Sequence, residues 1–143
     1  MRVRRATLYL SVLLLAAAAG CKFSFTTANI SSLKFSKDKE GKVETNTFAP
    51  GDTIYATATV SNVPSKVTLK FRLFTEKVEG QAENAPVPNF DTSLDLPADG
   101  YGYFTLTPPP AGWPAGRYRV EVAMLTESGE QKDQETGTFT VSR

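Results

Sequence analysis

The chain has 143 residues, with 16 basic and 15 acidic side chains, one cysteine and no histidine, enough for a single core of ordinary size. Without histidine, Ser/His/Asp, Cys/His and zinc chemistries are excluded, a lone cysteine closes no internal disulfide, and neither a metal nor a cofactor is expected. Arg2, Arg4 and Arg5 are three of the 16 basic residues, so residues 21–143 carry 13 basic against 15 acidic groups, a formal charge of −2; lacking a concentrated positive face, the chain is expected not to bind nucleic acid.

Residues 1–5 (MRVRR) are basic and residues 6–20 (ATLYLSVLLLAAAAG) apolar, with a leucine centre and a small-residue end. This is the organisation of a cleavable export signal, here expected as a helix. As a permanent span it is short, and Thr7 and Ser11 interrupt it. The run ends Ala18-Ala19-Gly20-Cys21, which resembles the lipobox of bacterial lipoproteins, with Ala18 where leucine is usual. The resemblance implies cleavage between Gly20 and Cys21 and acyl chains on Cys21. Each buried methylene adds about 0.8 kcal/mol, so two or three such chains hold a protein at a membrane without a spanning helix. Lys22 in place of an aspartate favours the outer membrane, by the sorting behaviour of enterobacterial lipoproteins. Residues 22–29 (KFSFTTAN) form a short tether; Phe23 and Phe25 either dip into the interface or begin a strand.

From residue 30 onward the chain reads as short strands punctuated by turns, with no sustained helical period. Ser31–Ser36 alternates, with Leu33 and Phe35 on one face. Thr53–Val60 points Ile54, Ala56, Ala58 and Val60 inward, and Lys66–Leu73 does the same with Val67, Leu69, Phe71 and Leu73. Residues 75–90, with Gly80, Pro86 and Pro88, read as a loop with at most a ragged edge strand, because proline lacks the ladder donor. Ser93–Leu96 and Tyr103–Thr107 are short strands joined by the turn Pro97–Gly100. Arg117–Leu125 presents Tyr118, Val120, Val122 and Met124 on one side, and Gly137–Val141 turns Phe139 and Val141 inward.

About seven strands at this spacing predict an all-β, antiparallel sandwich over residues 30–143. Two segments carry a more specific likeness. Pro50-Gly51-Asp52 before one strand, and Trp113-Pro114-Ala115-Gly116-Arg117-Tyr118-Arg119-Val120 leading into another, resemble bacterial immunoglobulin-like and fibronectin-type-III-like domains. That resemblance places Tyr118 at the corner tyrosine that opens the sixth strand of such domains. It specifies a fold and no activity.

Asp91, Asp95 and Asp99 are spaced by four, but the strand reading sends them to different places and makes them ordinary solvated acids. Tyr101, Tyr103, Pro108-Pro109-Pro110 and Trp113 form the one aromatic and proline concentration. It serves either as a stacking surface for a ligand or, in the case of Trp113, as a plug at the end of the sandwich. The functional expectation from sequence is a non-catalytic module of the cell envelope, membrane-anchored through Cys21, that binds or scaffolds envelope proteins or glycans. Its alternative is an inhibitor or carbohydrate-binding module acting through loops 75–90 or 108–116. In both, the chain is expected not to be an enzyme.

Overall fold

The computed structural model describes residues 27–143, and within them every regular element is a strand. The signal-peptide helix, the cleavage point at Gly20 and the lipidation residue Cys21 lie outside the described residues. Eight strands follow in order: β1 (Asn29–Ser36), β2 (Thr47–Phe48), β3 (Ile54–Ser61), β4 (Val67–Val78), β5 (Ala85–Leu96), β6 (Gly100–Leu106), β7 (Gly116–Thr126) and β8 (Gln131–Val141). They build two sheets, β1-β3-β6 and β2-β8-β7-β4-β5. All pairings are antiparallel except the two-residue β2, which runs parallel to β8.

The period-two patterning explains the stacking of these sheets. β3 alternates buried and half-buried without a break, burying Ile54, Ala56, Ala58 and Val60. β7 does the same with Tyr118, Val120, Val122 and Met124. Large and small side chains alternate across the three-stranded sheet: Ala56 lies between Phe35 and Phe104, and Ala58 between Leu33 and Gly102. The space above the small residues is taken by the opposite sheet. A Cβ on Gly102 would come within 2.9 Å of Leu94 and 3.2 Å of Leu69, and Phe71 meets Phe104 with centroids 5.5 Å apart. In β1 a register shift between Ile30 and Ser32 puts Ile30 on the same inner side as Leu33 and Phe35, which strict alternation forbids.

Three features depart from the sequence reading. β2 adds a strand too short to show a period, recognisable only by buried Phe48. The segment 75–90, expected as a loop with at most a ragged edge strand, is mostly strand: β4 continues to Val78, and β5 already begins at Ala85. Its two prolines are accommodated because β5 is an edge strand with a large bulge. Between the pairs Arg72–Asp91 and Phe74–Pro86, β4 advances two residues while β5 advances five, so Val87–Phe90 leaves the ladder around Pro88. Asn89, at φ 64°, makes the left-handed step in it. Finally, the Pro97–Gly100 turn carries the chain from one sheet to the other instead of joining neighbours in one sheet.

Candidate functional site

The aromatic concentration seen in the sequence is divided by the fold into two separate places. Trp113 is only 3% exposed, and its indole N–H donates to the Asp52 carbonyl at 3.0 Å. Its own backbone N–H donates to the Pro50 carbonyl at 2.8 Å. The two segments that suggested a fold resemblance are therefore clasped together. Gly112, at φ 80°, makes the clasp possible, since a Cβ there would come within 3.0 Å of the Pro50 carbonyl. From Trp113 a string of rings runs inward: Phe90 at 5.2 Å on one side, Tyr118 at 5.9 Å on the other, then Phe139 stacked on Tyr118 at 5.2 Å. Tyr118, 2% exposed, donates its hydroxyl to the Pro114 carbonyl at 2.7 Å. Burial pushes its phenol up to about 12. Beside the string a recess of about 180 Å³ opens between the β5 bulge and the prolines at 109 and 114.

Tyr101 and Tyr103 stand elsewhere, on the outer face of the three-stranded sheet. Alternation along β6 turns Phe104 and Leu106 into the core and both tyrosines away from it, leaving Tyr101 58% exposed. Their rings meet edge to face, 5.3 Å apart. The sheet register sets Thr59 beside Tyr101, and Thr57 with Lys34 beside Tyr103. The connection after β1 folds over this row. Asp38 holds it by accepting the backbone N–H groups of Lys42 at 2.9 Å and Val43 at 2.7 Å. Those bonds hold the Asp38 carboxyl below its ordinary value. The loop thus carries Lys39 to a point 5.7 Å from the Tyr103 ring centre. Burial, then the Tyr101 hydroxyl, raise the Tyr103 phenol. Lysine, loop and tyrosines enclose a recess of about 330 Å³.

Charge on this face is mostly compensated. Lys34 pairs with Glu44 at 3.3 Å and Lys42 with Glu40 at 2.6 Å, while Lys37 pairs with Asp52 at 3.0 Å. Among the described residues Lys39 makes no ion pair, which leaves one free cation beside two aromatic rings. Lys39 is not among the residues the sequence singles out, since only the folded loop brings it to Tyr103.

The three spaced aspartates do not converge. Asp99 accepts the N–H groups of Asn62 and Val63 at 3.1 and 2.7 Å, closing the turn between β3 and β4. Asp95 accepts the Thr68 hydroxyl at 2.7 Å and lies 3.6 Å from Lys66. These contacts, the hydroxyl first, hold Asp95 below its ordinary value. Among the described residues no three acidic or cysteine side chains group as a metal site would require.

No family model matches the chain, and no curated protein matches it in sequence. Among solved structures it is similar to the Pseudomonas fluorescens alkylpurine DNA glycosylase AlkC bound to DNA containing an abasic site analog. The identity is 14% and the TM-score 0.50, over 81% of this chain and 30% of that one. At that identity the likeness is one of fold, and this chain spans under a third of the enzyme's length. It nevertheless corrects the functional expectations. A non-catalytic envelope module, whether scaffold, inhibitor or carbohydrate binder, no longer follows, because the same fold occurs within a DNA-bound enzyme. The expectations that the chain is no enzyme and that nucleic acid is no partner fall with it. Both rested on bulk properties. Missing histidine removes only some chemistries, and net charge does not govern a surface that binds by stacking.

Proposed function

We propose that this chain is an immunoglobulin-like module that holds single-stranded nucleic acid on its Tyr101–Tyr103–Lys39 face. The observation that carries this reading is the exposed Tyr101 ring, edge to face with half-buried Tyr103, with an uncompensated lysine at their side. A base stacks on an aromatic face, and a neighbouring phosphate takes the cation. The rims of Thr57 and Thr59 offer hydroxyls to sugar and phosphate oxygens. The fold resemblance to a protein bound to DNA supports the choice of ligand class. The immunoglobulin-like assignment is supported by the strand order of the two sheets and by the Tyr118 hydroxyl returning to Pro114 at the start of β7.

The test is titration with short fluorescent oligonucleotides. Stacking is worth about 1–3 kcal/mol per base, so Tyr101→Ala should weaken binding roughly five- to hundredfold. With one free cation, the affinity should fall only gently with salt, with a logarithmic slope of about −0.7. Unchanged affinity in the variant, or a slope several times steeper, would move the binding surface elsewhere. Base excision, the activity of the similar enzyme, is read on the same oligonucleotides carrying an alkylated purine, as alkali-labile strand breaks. Breaks that vanish in Tyr101→Ala would make the face part of a catalytic surface.

The N-terminal segment supports a second, separate proposal about location: export and acylation at Cys21, holding the module at the cell envelope. Cys21→Ser should abolish labelling by a radioactive fatty acid. Label retained in that variant would overturn the lipoprotein reading and leave the nucleic-acid reading intact.

A further inference from the structure

Four strands end the two sheets, and three of them are guarded against pairing with another chain. β5 carries Pro86, Pro88 and the wide bulge. β1 has a register shift beside Ile30 and a charged Lys34, and the Ile30 N–H is taken by the Asp133 carboxylate at 2.8 Å. β2 is two residues long and covers only Thr140 and Val141, and the rest of the β8 edge behind it carries Lys132, Asp133 and Glu135. Proline, bulge, charge and shortness are the usual devices for blunting an edge. β6 has none of them: its sequence GYGYFTL holds no proline and no charge, and its ladder with β3 runs without a shift. Its far side borders an open groove of about 480 Å³, lined by Tyr103–Thr105 and Thr107 against Asn89–Thr92 of β5.

The geometry points to β6 as a self-association edge, where a second copy of this chain adds its own β6 antiparallel about a two-fold axis at Tyr103. The sequence is complementary to itself in that register. Tyr101 falls opposite Thr105 of the second copy, an aromatic against a β-branched side chain, and the two Tyr103 rings fall opposite each other. On the inner side Gly102 falls opposite Phe104 of the second copy, and each keeps the packing it has within its own chain, Gly102 under Leu94 and Leu69 and Phe104 against Phe71. The paired β6 strands carry no charge of their own, whereas pairing along β5 would align Asp91 and Asp95 with acidic residues of the other copy. The product is one continuous six-stranded sheet, β1-β3-β6-β6-β3-β1, with the two tyrosine pairs adjacent on one face. Seven residues a side is a small contact, below the usual size of a stable interface, so association should be weak and concentration-dependent.

The experiment uses two differently tagged copies of the full chain, both bearing Cys21→Ser so that no acyl chain joins them in one micelle. Copies with native β6 should co-purify increasingly as concentration rises. Tyr103→Glu with itself, and Tyr103→Lys with itself, should each lose roughly tenfold or more of that recovery, because like charges face each other at the axis. Mixing Tyr103→Glu with Tyr103→Lys should restore it, which also shows that both variants are folded. No co-purification of the native pair, or a mixed pair that recovers nothing, overturns the edge assignment. The readout needs no nucleic acid, so it succeeds or fails independently of ligand binding.

Discussion

The Trp113 end and the Tyr101 face use the same kind of side chain for opposite purposes. At the end, every polar atom of the rings is met by backbone: the indole by Asp52 and the Tyr118 phenol by Pro114. Rings so satisfied can be buried without penalty, and they join Phe90, Phe139 and Phe48 into one aromatic string. On the face, Tyr101 keeps more than half its surface in water and meets the Tyr103 ring edge to face. Among the described residues Tyr101 and Val43 are the large apolar side chains left exposed, and an exposed aromatic ring marks where a ligand can stack. The contrast teaches that polar satisfaction by backbone, and not ring type, separates structural from available aromatics here.

The largest effect should come from breaking the end. Trp113→Ala removes a ring in contact with both Phe90 and Tyr118 and takes the indole donor from the Asp52 carbonyl, while the backbone bond to Pro50 remains, so a loss of about 3–5 kcal/mol is expected in chemical denaturation. The native emission of this sole tryptophan should be blue-shifted and move red on unfolding. A variant that melts like the parent would show the clasp to be ornamental. Next comes Tyr118→Phe, which keeps the ring on Phe139 but leaves the Pro114 carbonyl unpaired, at about 1–3 kcal/mol. The same residue governs alkaline stability. Its folded pKa lies near 12 against an ordinary value of 10.0, so its stabilisation is complete below pH 10 and is lost as pH rises through 12. Tyr118→Phe should lack that decline between pH 10 and 12; an identical alkaline profile would place the titration elsewhere.

How much of this could be read beforehand follows the physical range of each signal. Alternation over 54–60, 67–73 and 118–124 is local, and those strands and their inner faces agree with the structure. Along β6 the same alternation sends Phe104 inward and Tyr101 and Tyr103 outward. The reading of residues 75–90 as a loop with at most a ragged edge strand allowed for an edge strand with a bulge but underestimated its length, because prolines without a ladder donor weaken the strand signal. Two-residue β2 offers no period at all. Trp113 stands close to the tyrosines in sequence, yet its partners, Pro50 and Asp52, are distant in the chain. Lys39 reaches Tyr103 only through sheet register and a folded loop, neither of which leaves a local mark. The segment with the strongest motif, ending in Cys21, lies outside the described residues.

On the face the stability effects should be small and the functional ones specific. Tyr101→Ala should leave the denaturation midpoint within about 0.5 kcal/mol of the parent, while weakening oligonucleotide binding as described above. A large loss of stability would show that the ring is part of the core and erase the difference between the two regions.

The smallest expected effect concerns the loop that presents Lys39. Asp38 is a surface group, and its carboxylate is favoured by the backbone N–H groups of Lys42 and then Val43. Because its folded pKa is lowered from 3.8, the contribution is present above that value and is lost as pH falls through the folded pKa. Acid should therefore loosen residues 37–44 while the sheets stay intact, and Asp38→Ala should reproduce the loosening at neutral pH. Amide hydrogen exchange at Lys42 and Val43 reads this directly: both should exchange faster in the variant, with β3 and β7 unaffected. If the loop alone carries Lys39 to the ring, oligonucleotide binding should weaken in Asp38→Ala to the extent that it weakens in Lys39→Ala, and by less than in Tyr101→Ala. Binding untouched by either change would leave the tyrosine pair as the whole of the face's affinity, with the lysine a bystander.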